Sequence, residues 1–83
     1  MDATTIQDQL TTIFRDVFDD DGLVLTPTTT ARDVPGWDSM NHITIVVAAE
    51  RHFGVKFQTS EIETLQNVGE LTKLIGEKLA KKR

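Results

Sequence analysis

Asp38, Ser39 and His42 are the residues of this chain whose types and spacing could do chemistry. A serine and a histidine three residues apart share one face of a helix, so the imidazole could act as a base toward the hydroxyl. However, Ser39 is not part of the Gly-x-Ser-x-Gly turn that exposes the nucleophile of many hydrolases. A small helical domain also offers no second loop to complete an oxyanion hole. The sequence therefore argues against Ser39 as a catalytic nucleophile.

Ser39 also has a simpler, structural interpretation as the residue that opens a helix. Its hydroxyl could accept a hydrogen bond from a backbone amide of the first turn, a role that serine fills well. Pro35 and Gly36 are typical of a turn before such a helix. Asp38 could cap the helix instead. Residue types alone favour a capping role for Ser39 over a chemical one.

Composition excludes several classes of function. The chain has no cysteine, which excludes disulfides, thiolate metal ligands and a cysteine nucleophile, and which favours a reducing compartment. A net charge of −4 opposes binding to nucleic acid and favours partners with basic surfaces. No stretch approaches the roughly 20 apolar residues of a membrane span, and no signal peptide is visible. We expect a soluble, cytoplasmic monomer without a metal site.

Apolar residues recur at helical spacing in three segments. The first helix is predicted from about residue 4 to residue 19, the second begins at or just before Ser39 and ends at Gly54, and the last follows Asn67. Their apolar positions are Ile6, Leu10, Ile13, Phe14, Val17 and Phe18; Met40, Ile43, Val46, Val47 and Phe53; and Val68, Leu71, Leu74, Ile75 and Leu79. The second helix is apolar over much of its circumference, so we expect it to be the most buried.

These segments predict an all-α fold, a small bundle of three main helices plus one short helix, in a single domain over residues 1–83. The short helix is expected to open at Ser60 and to continue through Leu65. Capping boxes are predicted at Thr4 with Gln7, Ser60 with Glu63, and Asn67 with Glu70. The β-branched cluster at residues 43–47 shows no strand alternation, so a sheet is not expected.

A long loop between the first and second helices covers residues 20–38, far more than the usual ~2 to 8 residues between helices of a bundle. We expect the apolar residues 23–25 to pack back onto the helices. The acidic run at residues 19–22 (DDDG) resembles part of a calcium loop, but that alignment places Val17 and Thr28 where carboxylates are required. A solvated helix end is expected there instead.

The arrangement around Ser39 resembles the acyl carrier protein family. The shared order is a first helix, a long loop, the tripeptide Asp38-Ser39-Met40 opening an apolar helix, a short helix and a final helix, from about residue 6 to residue 79. The family has Asp-Ser-Leu at this point, and methionine replaces leucine at similar volume. The resemblance implies that Ser39 carries 4'-phosphopantetheine, covalently attached from coenzyme A, whose thiol holds acyl groups as thioesters.

The chemistry of the residues agrees with this implication. A serine at the start of a helix is exposed to a modifying enzyme, and a phosphate attached there faces free amides and the positive end of the helix dipole. The chain has no thiol of its own, as expected if the arm supplies one.

The resemblance also implies roles for neighbouring residues. Asp38 is expected to form part of the signature that a phosphopantetheinyl transferase recognises, and Met40 to lie beside the arm. The residues expected to contact partner enzymes are Met40, Asn41, Val47 and Glu50. Among the other residues, Trp37 is expected to pack at the base of the loop, and His42 and His52 to face solvent.

The expected partners are the transferase, an acyl-loading enzyme and downstream acyl-transfer or synthase enzymes, with the chain as their substrate and not itself an enzyme. Carriers of fatty acid synthesis have several carboxylates on the second helix, where this chain has Asn41 and Thr44 and keeps only Glu50. A specialised pathway is therefore favoured over general fatty acid synthesis. Two alternatives remain: a peptidyl or aminoacyl carrier of the same fold, and an unmodified helical adaptor in which Ser39 is a cap.

Overall fold

Helices make up all of the regular structure within residues 2–81, the part of the chain that this computed structural model describes. Four helices follow one another: α1 (Ala3–Phe18), α2 (Ser39–Phe53), α3 (Thr59–Glu63) and α4 (Val68–Lys81). The all-α prediction, with three main helices, one short helix and a long loop before α2, is confirmed.

The hydrophobic core lies where α1 packs against α2 and α4. Phe14 of α1 is fully buried, and burial of such a side chain stabilises the fold by about 1.5–3 kcal/mol. The apolar stripe predicted for α1 is confirmed, and so is that of α4 except for Leu74, which is not part of the core; Val17, Phe18 and Leu79 pack at the partly exposed margins. The other buried core residues of these helices are Ile6, Leu10, Ile13, Val68, Leu71 and Ile75.

Helix α2 is less buried than its sequence predicts. Its buried face consists of Ile45, Val46, Ala49 and Phe53. Three other large apolar side chains of the helix are exposed, namely Met40 at 80%, Ile43 at 58% and Val47 at 45%. At 100° per residue these three positions fall on one side of the helix, turned away from the core. The expectation that α2 is the most buried helix is therefore wrong.

Helix α1 begins at Ala3, close to the predicted start, but the residue that caps it is Asp2. The Asp2 carboxylate accepts a hydrogen bond from the Thr5 amide at 2.8 Å. The predicted capping box of Thr4 with Gln7 is wrong, since the Gln7 side chain instead donates to the Leu25 carbonyl at 3.2 Å and fastens the long loop to α1.

The ends of the later helices are set by other residues. Gly54 ends α2 as predicted, in the left-handed conformation at φ 68° that glycine adopts without strain. The capping box of α3 pairs Gln58 with Glu61, not Ser60 with Glu63, because α3 begins before Ser60.

The cap of α4 agrees with the prediction in part. The Asn67 side chain accepts a hydrogen bond from the Glu70 amide at 2.8 Å, as a cap does. The Glu70 carboxylate accepts its bond from the Gln66 amide at 2.9 Å rather than from Asn67. The two side chains still satisfy amides at the start of the helix.

The long loop is packed onto α1 and α4 over much of its length. Leu25 is buried in the core, whereas Val24 is 71% exposed, so only part of the predicted apolar run packs inward. The Gly69 amide donates to the Pro27 carbonyl at 2.7 Å. A Cβ atom on Gly69 would lie 2.7 Å from that same oxygen, so glycine permits this close approach. The loop is thereby held at the start of α4.

Candidate functional site

Ser39 is the first residue of α2 and its side chain is exposed. The residue that caps the helix is Asp38, whose carboxylate accepts a hydrogen bond from the Asn41 amide at 2.9 Å. Among the hydrogen bonds of the described residues, none uses the Ser39 hydroxyl. The capping interpretation of Ser39 is therefore wrong, and the hydroxyl is left accessible at the start of the helix.

The turn before Ser39 is fixed by backbone and side-chain contacts. Gly36 adopts φ 88°, a left-handed conformation that favours glycine. Its carbonyl accepts hydrogen bonds from the Asp38 amide at 2.9 Å and from the Asn41 side chain at 2.6 Å. Val34, just before the turn, is buried. These contacts hold the turn in place, so Ser39 sits on a defined backbone rather than on a free loop.

Trp37 ties the turn to the core. Its ring packs edge-on against Phe14 of α1, with ring centroids 5.1 Å apart. The indole Nε1 donates a hydrogen bond to Nδ1 of His42 at 3.2 Å. The predicted packing role of Trp37 at the base of the loop is confirmed.

The two histidines differ in their surroundings. His42 is half-buried rather than solvent-facing, because it stacks beside Trp37 and its Nε2 lies 3.4 Å from the Ile62 carbonyl of α3. The expectation for His42 is therefore wrong. His52 is exposed as expected, and its Nε2 contacts the Gln9 side chain at 2.6 Å.

A cleft of about 840 Å³ opens between α2 and the segment that contains α3, and Ser39 lies on its rim. Its lining includes apolar side chains such as Val46, Ile62 and Leu71 together with the acidic residues Glu50 and Glu63. A cleft with a mostly apolar lining and a few polar groups suits a ligand with an apolar part.

The residues expected to contact partners are not all presented in the same way. Met40 and Val47 are exposed, and Ile43 joins them on the same side of α2. We call these three side chains the α2 apolar strip. The sequence analysis placed Ile43 among the core positions, because the apolar residues surround most of α2 and the helical period alone does not show which face is exposed.

Asn41 and Glu50 make internal hydrogen bonds. The Asn41 side chain holds the turn through the Gly36 carbonyl. The Glu50 carboxylate accepts a hydrogen bond from the Phe57 amide at 2.8 Å and so fixes the chain that follows α2. Both side chains therefore stabilise the local fold, in addition to any contact with a partner.

The side chains that could hold a metal ion do not cluster within residues 2–81. The acidic run at residues 19–22 contains Asp19 in the left-handed conformation, at φ 51°, where it ends α1. No helix among the described residues is both long and apolar enough to cross a membrane.

A family model and a solved structure each match most of the chain. The family model described as "Phosphopantetheine attachment site" matches residues 8–75. Among solved structures, the solution NMR structure of a holo acyl carrier protein from Geobacter metallireducens is 47% identical, with a TM-score of 0.86 over 92% of this chain and 87% of that chain. No curated protein sequence matches this chain.

Proposed function

Because this chain belongs to the acyl carrier protein family, which carries acyl thioesters on covalently attached 4'-phosphopantetheine, we propose that Ser39 is the residue that bears the arm. The Ser39 hydroxyl oxygen would attack the phosphorus of coenzyme A next to the pantetheine and form a phosphodiester, while the pyrophosphate P–O bond breaks, adenosine 3',5'-bisphosphate leaves, and the hydroxyl proton passes to a base of the transferase. The arm supplies the thiol that this cysteine-free chain lacks. The chain itself then acts as a substrate of partner enzymes.

The observation that carries this proposal is the division of roles between Asp38 and Ser39. Asp38 caps α2, so the adjacent serine does not need its hydroxyl for the helix. An exposed hydroxyl without an internal partner is accessible to a transferase. The positive end of the helix dipole favours the negative charge that a phosphodiester brings to this position.

Partner enzymes are proposed to dock beside the arm on the α2 apolar strip. Met40 follows Ser39 directly, and Ile43 and Val47 continue the strip along the helix. Exposed apolar side chains next to a reacting group are typical of contact surfaces. We propose that the transferase, the loading enzyme and the downstream acyl-transfer enzymes share this strip.

A specialised pathway is proposed rather than general fatty acid synthesis. Asn41 and Thr44 are neutral at the positions beside the strip, and the Glu50 carboxylate is bonded to the Phe57 amide. Helix α2 itself therefore carries no carboxylate before Glu50, although Asp38 and Glu63 line the cleft beside it. Recognition through the strip then depends more on apolar contact than on charge.

The proposal is tested by loading the protein with coenzyme A, Mg²⁺ and a broad-specificity phosphopantetheinyl transferase, followed by intact mass measurement. Wild type should gain one arm stoichiometrically, and Ser39→Ala should gain none. Ser60, the other serine of the chain, provides the matched control, and Ser60→Ala should load as wild type does. Unmodified wild type, under conditions that load a control carrier, would refute the proposal.

A further inference from the structure

The contacts of His42 join three parts of the molecule at the rim of the cleft. Its Nδ1 accepts from the Trp37 indole in the turn, and its Nε2 reaches the Ile62 carbonyl of α3. His42 also lies about one helical turn beyond Ser39, and both residues line the cleft. We propose that His42 is a positioning residue that latches α3 to α2 and so limits how readily apolar cargo enters the cleft; this rests on the proposed role of Ser39.

Trp37 fixes the tautomer of His42. An indole N–H is a donor only, so Nδ1 of His42 must be the unprotonated acceptor. In the neutral ring the proton then resides on Nε2, which points at the Ile62 carbonyl. The hydrogen bond from the Trp37 indole therefore leaves Nε2 of His42 as the nitrogen that donates toward α3.

Helix α3 depends on such polar contacts because it contributes little to the core. None of its residues is buried. Its ion pair between Glu61 and Lys78 connects it to α4, but an ion pair on the surface stabilises little. On the α2 side, the Glu50 carboxylate accepts from the Phe57 amide just before α3, and among the described residues the contact of His42 with the Ile62 carbonyl at 3.4 Å is the hydrogen bond from α2 to α3 itself. Loss of this bond should let α3 move away from α2.

The latch lies beside the position where the arm would place its acyl group, because Ser39 and His42 line the same cleft. An acyl chain tethered at Ser39 would lie beside a cleft whose lining includes Val46 and Leu71. Transfer of an apolar chain from water into such a cleft is favourable. While the contact of His42 with Ile62 holds α3 beside α2, the cleft cannot widen beyond the size that it has here. Breaking the latch should therefore increase the fraction of time that an apolar acyl group spends in the cleft.

Two substitutions separate the two contacts of His42. In His42→Asn, the amide oxygen can replace Nδ1 as the acceptor for Trp37, but the side chain is too short to reach Ile62. In His42→Gln, the longer side chain can place its amide nitrogen where Nε2 donates to Ile62. Both are neutral and polar, so charge is unchanged relative to the neutral histidine. His52→Asn is the control, since His52 contacts Gln9 away from the cleft.

The measurement is the rate at which hydroxylamine cleaves an octanoyl thioester on the arm, after intact mass has verified complete loading. An acyl group within the cleft is protected from attack. Loss of one hydrogen bond should slow cleavage in His42→Asn by about 2- to 10-fold relative to wild type. His42→Gln and His52→Asn should each cleave within about twofold of wild type.

Other results would overturn the latch. Equal rates in wild type and His42→Asn would show that the contact does not limit access, and faster cleavage in His42→Asn would show that His42 supports the bound cargo. Equal slowing in His42→Gln would show that the ring's bulk matters rather than its hydrogen bond to Ile62.

The latch can also be tested without the arm, so that its failure is distinct from a failure of the Ser39 proposal. Amide hydrogen exchange over α3 in the unmodified protein should be faster in His42→Asn than in wild type, and unchanged in His52→Asn. Unchanged exchange over α3 in His42→Asn would overturn the latch even if Ser39 carries the arm. If no variant loads, only the proposed function fails, and the exchange measurement still decides on the latch.

Discussion

The Asp38 carboxylate accepts a hydrogen bond from the Asn41 amide at 2.9 Å, and the neighbouring Ser39 hydroxyl makes no hydrogen bond within the described residues. The stability of the helix start and the chemistry proposed for it therefore rest on different side chains. The effect of a substitution at Asp38 on stability can therefore be measured separately from the effect of a substitution at Ser39 on attachment of the arm.

Removing the cap at Asp38 should destabilise the start of α2, whereas replacing Ser39 should not. Asp38→Ala should lower the free energy of unfolding by about 0.5–2 kcal/mol, whereas Asp38→Asn should retain stability because asparagine also caps well. Ser39→Ala should change stability by no more than about 0.5 kcal/mol. Urea unfolding measures all three. If Ser39→Ala destabilises as much as Asp38→Ala, the hydroxyl contributes to the helix after all.

Introducing a carboxylate beside the α2 apolar strip should improve recognition by enzymes with basic surfaces. Thr44 is exposed, and its hydroxyl bonds only locally to the Met40 carbonyl. Thr44→Glu should raise the rate at which a fatty-acid-type malonyl transferase loads the holo protein, and Thr44→Gln should not. Asn41 is a poorer position for this test because its side chain holds the Gly36 carbonyl.

The gain from Thr44→Glu should shrink as salt is added, since exposed charges are screened over about 10 Å at 0.1 M ionic strength. Complementary charge acts mainly on the encounter rate, so the effect should appear in the rate of loading at limiting substrate. Wild type that already loads as fast as a fatty-acid carrier would contradict the specialised-pathway proposal.

The buried hydroxyl of Thr72 should be replaceable with a gain in stability. Thr72 is 5% exposed, and within the described residues its hydroxyl has no hydrogen-bond partner. Thr72→Val keeps the shape and removes an unsatisfied polar group, so the free energy of unfolding should rise by roughly 1 kcal/mol. The control is Thr12→Val, on the exposed side of α1, where the hydroxyl bonds to the Asp8 carbonyl and no gain is expected. A loss of stability in Thr72→Val would mean that the hydroxyl is satisfied in solution.

The pKa of the Glu61 carboxyl group should lie below its ordinary value. A hydrogen bond from the Gln58 amide, and then the Lys78 ammonium group, hold the pKa of Glu61 below its usual value. The stabilisation from these contacts is complete above the unfolded-state pKa and is lost as pH falls through the lower pKa of the folded state. An NMR titration of Glu61 should show this lowered pKa directly.

Removing the Lys78 charge should raise the pKa of Glu61 only in part, because the Gln58 amide remains. Lys78→Met is the test, and Lys56→Met, which removes a charge outside the contacts of Glu61, is its control. A full return of the Glu61 pKa to its usual value in Lys78→Met would show that the ion pair, and not the amide, is the main cause.

The parts of the fold that follow from local pattern were predictable from sequence. The stripe through Phe14 is one-sided, so its period determines which face of α1 is buried. In α2 the apolar residues surround most of the helix, and the period cannot decide between Ile43 and Ile45, of which only Ile45 is buried. The extent of burial there depends on where α1 and the loop pack, which no single helix specifies.

The exposed position of Ser39 at the start of a helix was predictable from sequence, whereas the contacts around it were less so. The family resemblance identified the serine and its neighbouring aspartate, but not which of them caps the helix, since both types serve as caps. The contact of His42 with Ile62 joins residues twenty positions apart, and no local pattern indicates such a contact. The side-chain bonds of Asn41 and Glu50 likewise depend on where the turns run in three dimensions.

The central claim, that Ser39 bears the arm, is tested most directly by locating the added mass within the loaded protein. Trypsin cuts after Arg32 and Arg51, and the peptide of residues 33–51 contains Ser39 as its only serine. Tandem mass spectrometry should find the phosphopantetheine mass on this peptide and assign it to Ser39. The same mass on Thr44 of that peptide, or on the peptide that contains Ser60, would contradict the account.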